Sequence, residues 1–256
     1  MEGNRNTGIR EEAPRSRAEP VEDTERLADH LRHLARIVPA VSHDLRAHLN
    51  SMVLNLELLQ RSLDGGATPG DRIARRATVI AGEIRQLDRM LKAVAGQTRL
   101  AGPQEERFDY RLLCEDLAIL FRSYGRQRRI RVEAELPEMP VMVASDRDAI
   151  HHALTSLLIA VIDALPEGAQ LSLAMRADRR NAVLTASATA PDSDSRAAES
   201  GAAAPSPVSF SREPAARAVA MARETLESLA APLLISSGPR QPARLEIHLP
   251  LARSEH

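Results

Sequence analysis

Apolar residues recur along the first hundred positions with a helical rhythm. Leu27, Leu31, Leu34, Val38, Val41, Leu45, Leu49, Met52, Leu56, Leu59 and Leu63 are spaced 4, 3, 4, 3, 4, 4, 3, 4, 3, 4. This is a heptad seam with one stutter, at 45–49. It predicts one long helix over residues 22–63, with a local kink at Pro39, whose ring removes a backbone hydrogen bond. Asp64-Gly65-Gly66 supplies the stop. After a loop at 64–70, Asp71 is placed to cap a second helix. The seam of that helix is Ile73, Ala77, Ile80, Ile84, Leu87, Leu91 and Val94, spaced 4, 3, 4, 3, 4, 3, and it runs to about Leu100 before Gly102-Pro103. Two such helices on a short loop predict an antiparallel hairpin over 22–102. A single hairpin leaves half its seam wet. Pairing two hairpins into a four-helix bundle covers it, so a homodimer is expected.

From residue 103 to 252 the periodicity changes. A helical pattern over about 109–124 precedes the strand-like alternation IRVEAEL at 130–136. A helix over about 146–164 ends before Pro166-Glu167-Gly168. The alternating segments 169–177 and 182–188 then predict a hairpin around Arg179-Arg180-Asn181. Residues 189–213 are Ala/Ser/Pro-rich without periodicity and predict a flexible loop. A helix at 214–230 and strands at 232–236 and 243–249 complete an α+β sandwich. Residues 1–21, charged and with Pro14 and Pro20, are expected to form a disordered tail.

Charge and composition narrow the function. The 256 residues carry 34 Lys+Arg against 35 Asp+Glu, a net charge of −1, so no electrostatic footprint for nucleic acid is present. There is no Trp, and only Phe108, Tyr110, Phe121, Tyr124 and Phe210 could stack on bases. The single Cys114 excludes an intrachain disulfide framework and a cysteine-rich zinc site. No apolar run reaches the ~20 residues of a membrane span, and the N-terminal stretch lacks the apolar core of a secretion signal. A cytoplasmic protein with no membrane partner is therefore expected. His30, His33, His48, His151 and His152 raise the question of a metal. His30 and His33 share a helix face, but no third ligand follows from the spacing, so these are read as solvated surface residues and no metal site is expected.

The segment Val41-Ser-His-Asp-Leu-Arg-Ala-His-Leu-Asn-Ser-Met52 resembles the H-box of sensor histidine kinases. That family has a Ser-His-Glu/Asp-Leu-Arg-x-Pro-Leu stretch on the first helix of a dimerisation and phosphotransfer hairpin. Its Pro is replaced here by His48. Independently of the family, His43 lies about 160–200° around the helix from Val41 and Leu45, which directs it away from the seam. The resemblance makes His43 the phosphoacceptor and gives Asp44 the task of orienting its ring. Arg46 either offsets phosphate charge or simply keeps the face solvated. The family's phosphatase position, four residues after the histidine, holds Ala47, so phosphatase activity is expected to be weak; Asn50 lies on the same face.

Downstream, Phe108-Asp109-Tyr110 is similar to the entry of the kinases' ATP-binding domain, and residues 146–168 are similar to the helix bearing their Mg²⁺-binding Asn. That Asn aligns with Ala160. The adenine-reading Asp and the glycines of the next box align with Ala188, Ala190 and Asp192, and the last glycine pair with Ala216 and Ala218. The endings Leu233–Ser237 and Leu245–Pro250 also resemble the family. Alanine offers no oxygen to a hard cation, and a Cβ intrudes where backbone must approach phosphate. The resemblance therefore implies a degenerate ATPase-like sandwich after a phosphotransfer hairpin, without bound cofactor. Three functions remain open: a histidine phosphotransferase, a non-catalytic pseudokinase that binds a kinase or response regulator, and a divergent active kinase. For the first, the implied partners are response-regulator receiver domains, which would bring their own Mg²⁺, and a sensor kinase.

Overall fold

The computed structural model describes residues 19–64, 70–97, 104–189, 213–238 and 241–252. Helix α1 spans Glu19–Asp64 and α2 spans Gly70–Gly96, packed side by side as the heptads require. Helix α1 runs on through Pro39. Two corrections fall at helix starts. Residues 19–21, expected in the disordered tail, belong to α1, and Asp71, expected as a cap, lies inside the first turn of α2. The rest of the expected tail, and residues 190–212 of the expected loop, lie outside the described residues.

The α/β part begins with β1 (Glu105–Asp109) and α3 (Tyr110–Gln127), followed by β2 (Arg131–Glu135), β3 (Met142–Asp146) and α4 (Arg147–Ala164). It continues through β4 (Gln170–Ala177), β5 (Asn181–Thr189), α5 (Glu213–Ser228), β6 (Leu233–Gly238) and β7 (Gln241–Pro250). Five strands form one sheet in the order β2-β4-β5-β7-β6; β2 runs parallel to β4, and the other neighbours are antiparallel. Strands β1 and β3 form a separate antiparallel pair with Phe108 opposite Val143. The chain is thus a helical hairpin followed by an α/β sandwich.

Local chemistry sets the helix starts. The Asp109 carboxylate accepts from Arg111 N and from Val141 N, each at 3.0 Å, so one side chain both caps α3 and holds the approach to β3. Asp146 caps α4 by accepting from Ala149 N at 2.9 Å. At Gly125 a Cβ would meet Val132 Cγ2 at 2.7 Å and Ile130 O at 2.8 Å, so only glycine lets α3 turn tightly into β2.

The two halves share a core. Ile37, Ala40 and Val41 of α1 and Met90 and Ala93 of α2 are buried in one cluster with Leu113, Leu117, Leu120 and Phe121 of α3. Both hairpin helices pack on α3. Val41, read from sequence as part of the dimer seam, is therefore covered within its own chain. Much of the remaining seam stays open: Leu27, Leu31, Val38, Leu49 and Leu56 of α1 and Ile84 and Leu91 of α2 are exposed.

Candidate functional site around His43

His43 stands on α1 with its side chain 76% exposed, whereas its neighbour Asp44 is only 13% exposed. The difference follows from the helix: Asp44 turns toward α3 and His43 toward solvent. Asp44 Oδ1 lies 3.6 Å from His43 Nδ1. Its other oxygen, Oδ2, accepts from Arg126 Nη2, near the C-terminal end of α3. Burial pushes the Asp44 carboxyl up, but hydrogen bonds from Arg126 and Ser123 outweigh this and hold it below the usual carboxylate value. A charged carboxylate thus faces the ring nitrogen of an exposed histidine. Arg46, Ala47 and Asn50 are exposed on the same helix.

Five residues further on, His48 turns inward. Its Nδ1 lies 2.5 Å from Glu83 Oε2 of α2, and Ser51 Oγ donates to Glu83 Oε1 at 3.1 Å. The His48 contact holds the Glu83 carboxyl below its ordinary value. This tie fixes α2 against α1 one turn beyond His43.

Among the described residues, the positions aligned with nucleotide boxes are all alanine. Ala160 on α4 and Ala188 on β5 are buried methyl groups. Ala216 and Ala218 lie within α5, and Ala190 and Asp192 lie outside the described residues. Helices α4 and α5 pack directly on one another. The carboxylate nearest Ala160 on its helix, Asp163, is fully engaged. It accepts from Tyr124 OH at 2.7 Å and pairs with Arg128 at 2.8 Å and Arg36 of α1 at 2.7 Å. The methyl groups of Ala160 and Ala188 offer neither an oxygen to Mg²⁺ nor an acceptor to adenine.

His30, His33, His48, His151 and His152 are buried or half-buried rather than solvated surface residues, which corrects the sequence reading. His30 and His151 are buried and His33 is half-buried at the seam of α1 with α4. The His152 ring lies 5.1 Å from that of His33 and 6.3 Å from that of His30, centroid to centroid. Gln97 Nε2 donates to His151 Nε2 at 3.0 Å, and Ser156 Oγ lies 3.3 Å from His33 Nε2. Burial first, then cationic neighbours, pushes His33 and His151 each down to about 4. Among the described residues no group of three or more His, Cys, Asp or Glu is arranged to hold a metal ion.

The sequence reading did not find Arg126 and Ser123. They belong to another element, 82 residues from Asp44 in the case of Arg126, and no local pattern marks them. Among the described residues no helix is long and apolar enough to cross a membrane. No family model matches the chain, and no curated protein matches it. Among solved structures, the chain is similar to the histidine kinase AdeS of Acinetobacter baumannii, at 18% identity and a TM-score of 0.42, over 82% of this chain and 98% of that one. It is similar to a nucleotide-free form of the catalytic domain of histidine kinase ThkA, at 14% identity and a TM-score of 0.45, over 57% of this chain and 97% of that one. It is also similar to histidine kinase ThkA in complex with response regulator protein TrrA, at 14% identity and a TM-score of 0.44, over 95% of this chain and 70% of that one. These three solved structures are all of histidine kinases.

Proposed function

We propose that this chain is a histidine phosphotransferase that relays phosphoryl groups between receiver-domain aspartates through His43. One observation carries the reading: an exposed histidine is paired with a charged carboxylate, while the positions aligned with the Mg²⁺-binding Asn and the adenine-reading Asp, 160 and 188, hold alanine. Asp44 favours a proton on His43 Nδ1, which leaves the Nε2 lone pair free. Nε2 attacks the phosphorus of a receiver's aspartyl phosphate in line. An N–P bond forms, the acyl O–P bond breaks, and the receiver carboxylate leaves. The Nδ1 proton stays in place, and the positive charge gained by the ring is balanced by Asp44. The reverse step delivers the group to a second receiver. Neither Ala160 nor Ala188 offers oxygen to Mg²⁺, so the receiver is expected to supply the ion.

The exposed leucines of α1 and α2 support a homodimer, in which a second hairpin covers the open seam. The deciding experiment uses receivers phosphorylated on aspartate, mixed with the protein at neutral or alkaline pH because phosphohistidine is acid-labile. Label is expected on the wild type and not on His43→Gln. If no receiver transfers label, or if the variant labels equally, the chain is a non-catalytic binder of its partners. Micromolar binding of Mg-ATP by calorimetry, or autophosphorylation from labelled ATP, would make it a divergent kinase.

A further inference from the structure

Besides the alanines at 160 and 188, the α/β part brings one side chain that reaches the histidine site. Asp44 has two oxygens with two partners: Oδ2 accepts from Arg126 Nη2, and Oδ1 lies 3.6 Å from His43 Nδ1. Taking one oxygen fixes the rotation of a carboxylate and so decides where the other points. Arg126 also reaches Ser123 Oγ at 3.4 Å, and Ser123 is buried and bonded to Asp44 as well. The base of the Arg126 side chain is firm. It sits in the last turn of α3, one residue after Gly125, whose close approach to Ile130 and Val132 fixes that turn. The same helix is packed on α1 through Ile37, Ala40 and Val41, just before the H-box.

We propose that Arg126 is a positioning residue of the phosphotransfer site, holding Asp44 so that Oδ1 faces His43 Nδ1 and Nε2 is left as the nucleophile. The proposal rests on the phosphotransferase reading and gives the α/β part a place in it. That part supplies a side chain to the reacting centre of the hairpin rather than ATP. Arg126 touches neither phosphorus nor the reacting nitrogen and acts only through Asp44. A Lys at 126 retains the charge, although it lacks the planar fork that a guanidinium offers a carboxylate.

The experiment uses the full chain as wild type, Arg126→Ala, Arg126→Lys and Arg36→Ala. The last breaks a second ion pair between α1 and the α/β part, Arg36–Asp163, without touching Asp44. Nitrogen NMR of the His43 ring needs no receiver. The proton is expected on Nδ1 in wild type and in Arg36→Ala, to be shared with Nε2 in Arg126→Ala, and to return in part in Arg126→Lys. Single-turnover transfer from a phosphorylated receiver is expected to slow at least about tenfold in Arg126→Ala with receiver binding unchanged, since misplacing a reacting group by about 1 Å costs up to ~10²-fold. Arg126→Lys should recover part of the rate. An unchanged ring spectrum, transfer as fast as or faster than wild type, or equal losses in Arg36→Ala would overturn the proposal. If no receiver labels even the wild type, the phosphotransferase reading falls, and the ring spectrum alone decides whether Arg126 positions Asp44.

Discussion

At the residue scale, His43 and Asp44 should respond differently to substitution. His43 is exposed, so His43→Gln should leave the melting temperature and receiver binding within error while removing label. Asp44 is mostly buried and bonded to Arg126 and Ser123. Asp44→Ala should therefore slow transfer and also destabilise the fold by about 1–3 kcal/mol, because the charge-assisted bonds are lost and Ser123 is left buried. Urea titration separates the two effects. Gly125→Ala should cost about 1–3 kcal/mol through its clash with the Ile130 carbonyl, a backbone atom that cannot swing aside. An unchanged urea midpoint would show that the α3–β2 turn relaxes freely. At this scale the sequence was legible where partners are neighbours. That His43 turns to solvent could be read from a helical wheel, and Asp44 follows it directly in the chain. Arg126 could not, because its relation to Asp44 exists only after α3 has docked.

At the element scale, the seam between α1 and α4 is built from imidazoles, and its chemistry sets a pH dependence. His33 faces His30, His152, Asp29 and Arg36; His151 faces His30, His152 and Arg147. Both are held at about 4 against an ordinary 6.5. The unfolded chain therefore takes up protons first as pH falls. The contribution of these two histidines is full above about pH 6.5, declines toward pH 4 and levels off below it. His151 alone should contribute a loss on the order of 2 kcal/mol by pH 5. Urea midpoints between pH 7.5 and 5 should fall in wild type and fall less in His151→Gln; parallel curves would show that this histidine carries no part of the dependence. The helices were readable because heptads repeat over many turns. Strands β1 and β3 were not: EERFD has one buried residue, Phe108, and MVASD only Val143 and Ser145, too few for an alternation to register. The histidine seam was misread because spacing on one helix says nothing about the helix that will cover it.

At the scale of the whole molecule, the hairpin and the sandwich were both legible, since each has its own period, 3.5 in one and 2 in the other. That they share a core was not, because Ile37 and Ala40 stand outside the heptad seam and Val41 within it. The exposed seam residues predict association. Light scattering should give twice the 28.0 kDa of one chain at micromolar concentration. Leu49→Asp, which places a charge where a second hairpin would pack, should return it toward one chain or unfold it; a wild type that stays monomeric would remove the bundle. The core joining α1, α2 and α3 has a thermodynamic consequence. With Ile37, Met90 and Phe121 in one cluster, neither half can melt without exposing apolar surface of the other. Calorimetry should then record one endotherm whose van't Hoff and measured enthalpies agree, rather than two. Slow amide exchange in α1 near Val41 should proceed at the rate found in the middle of α3, so that both report the same global opening.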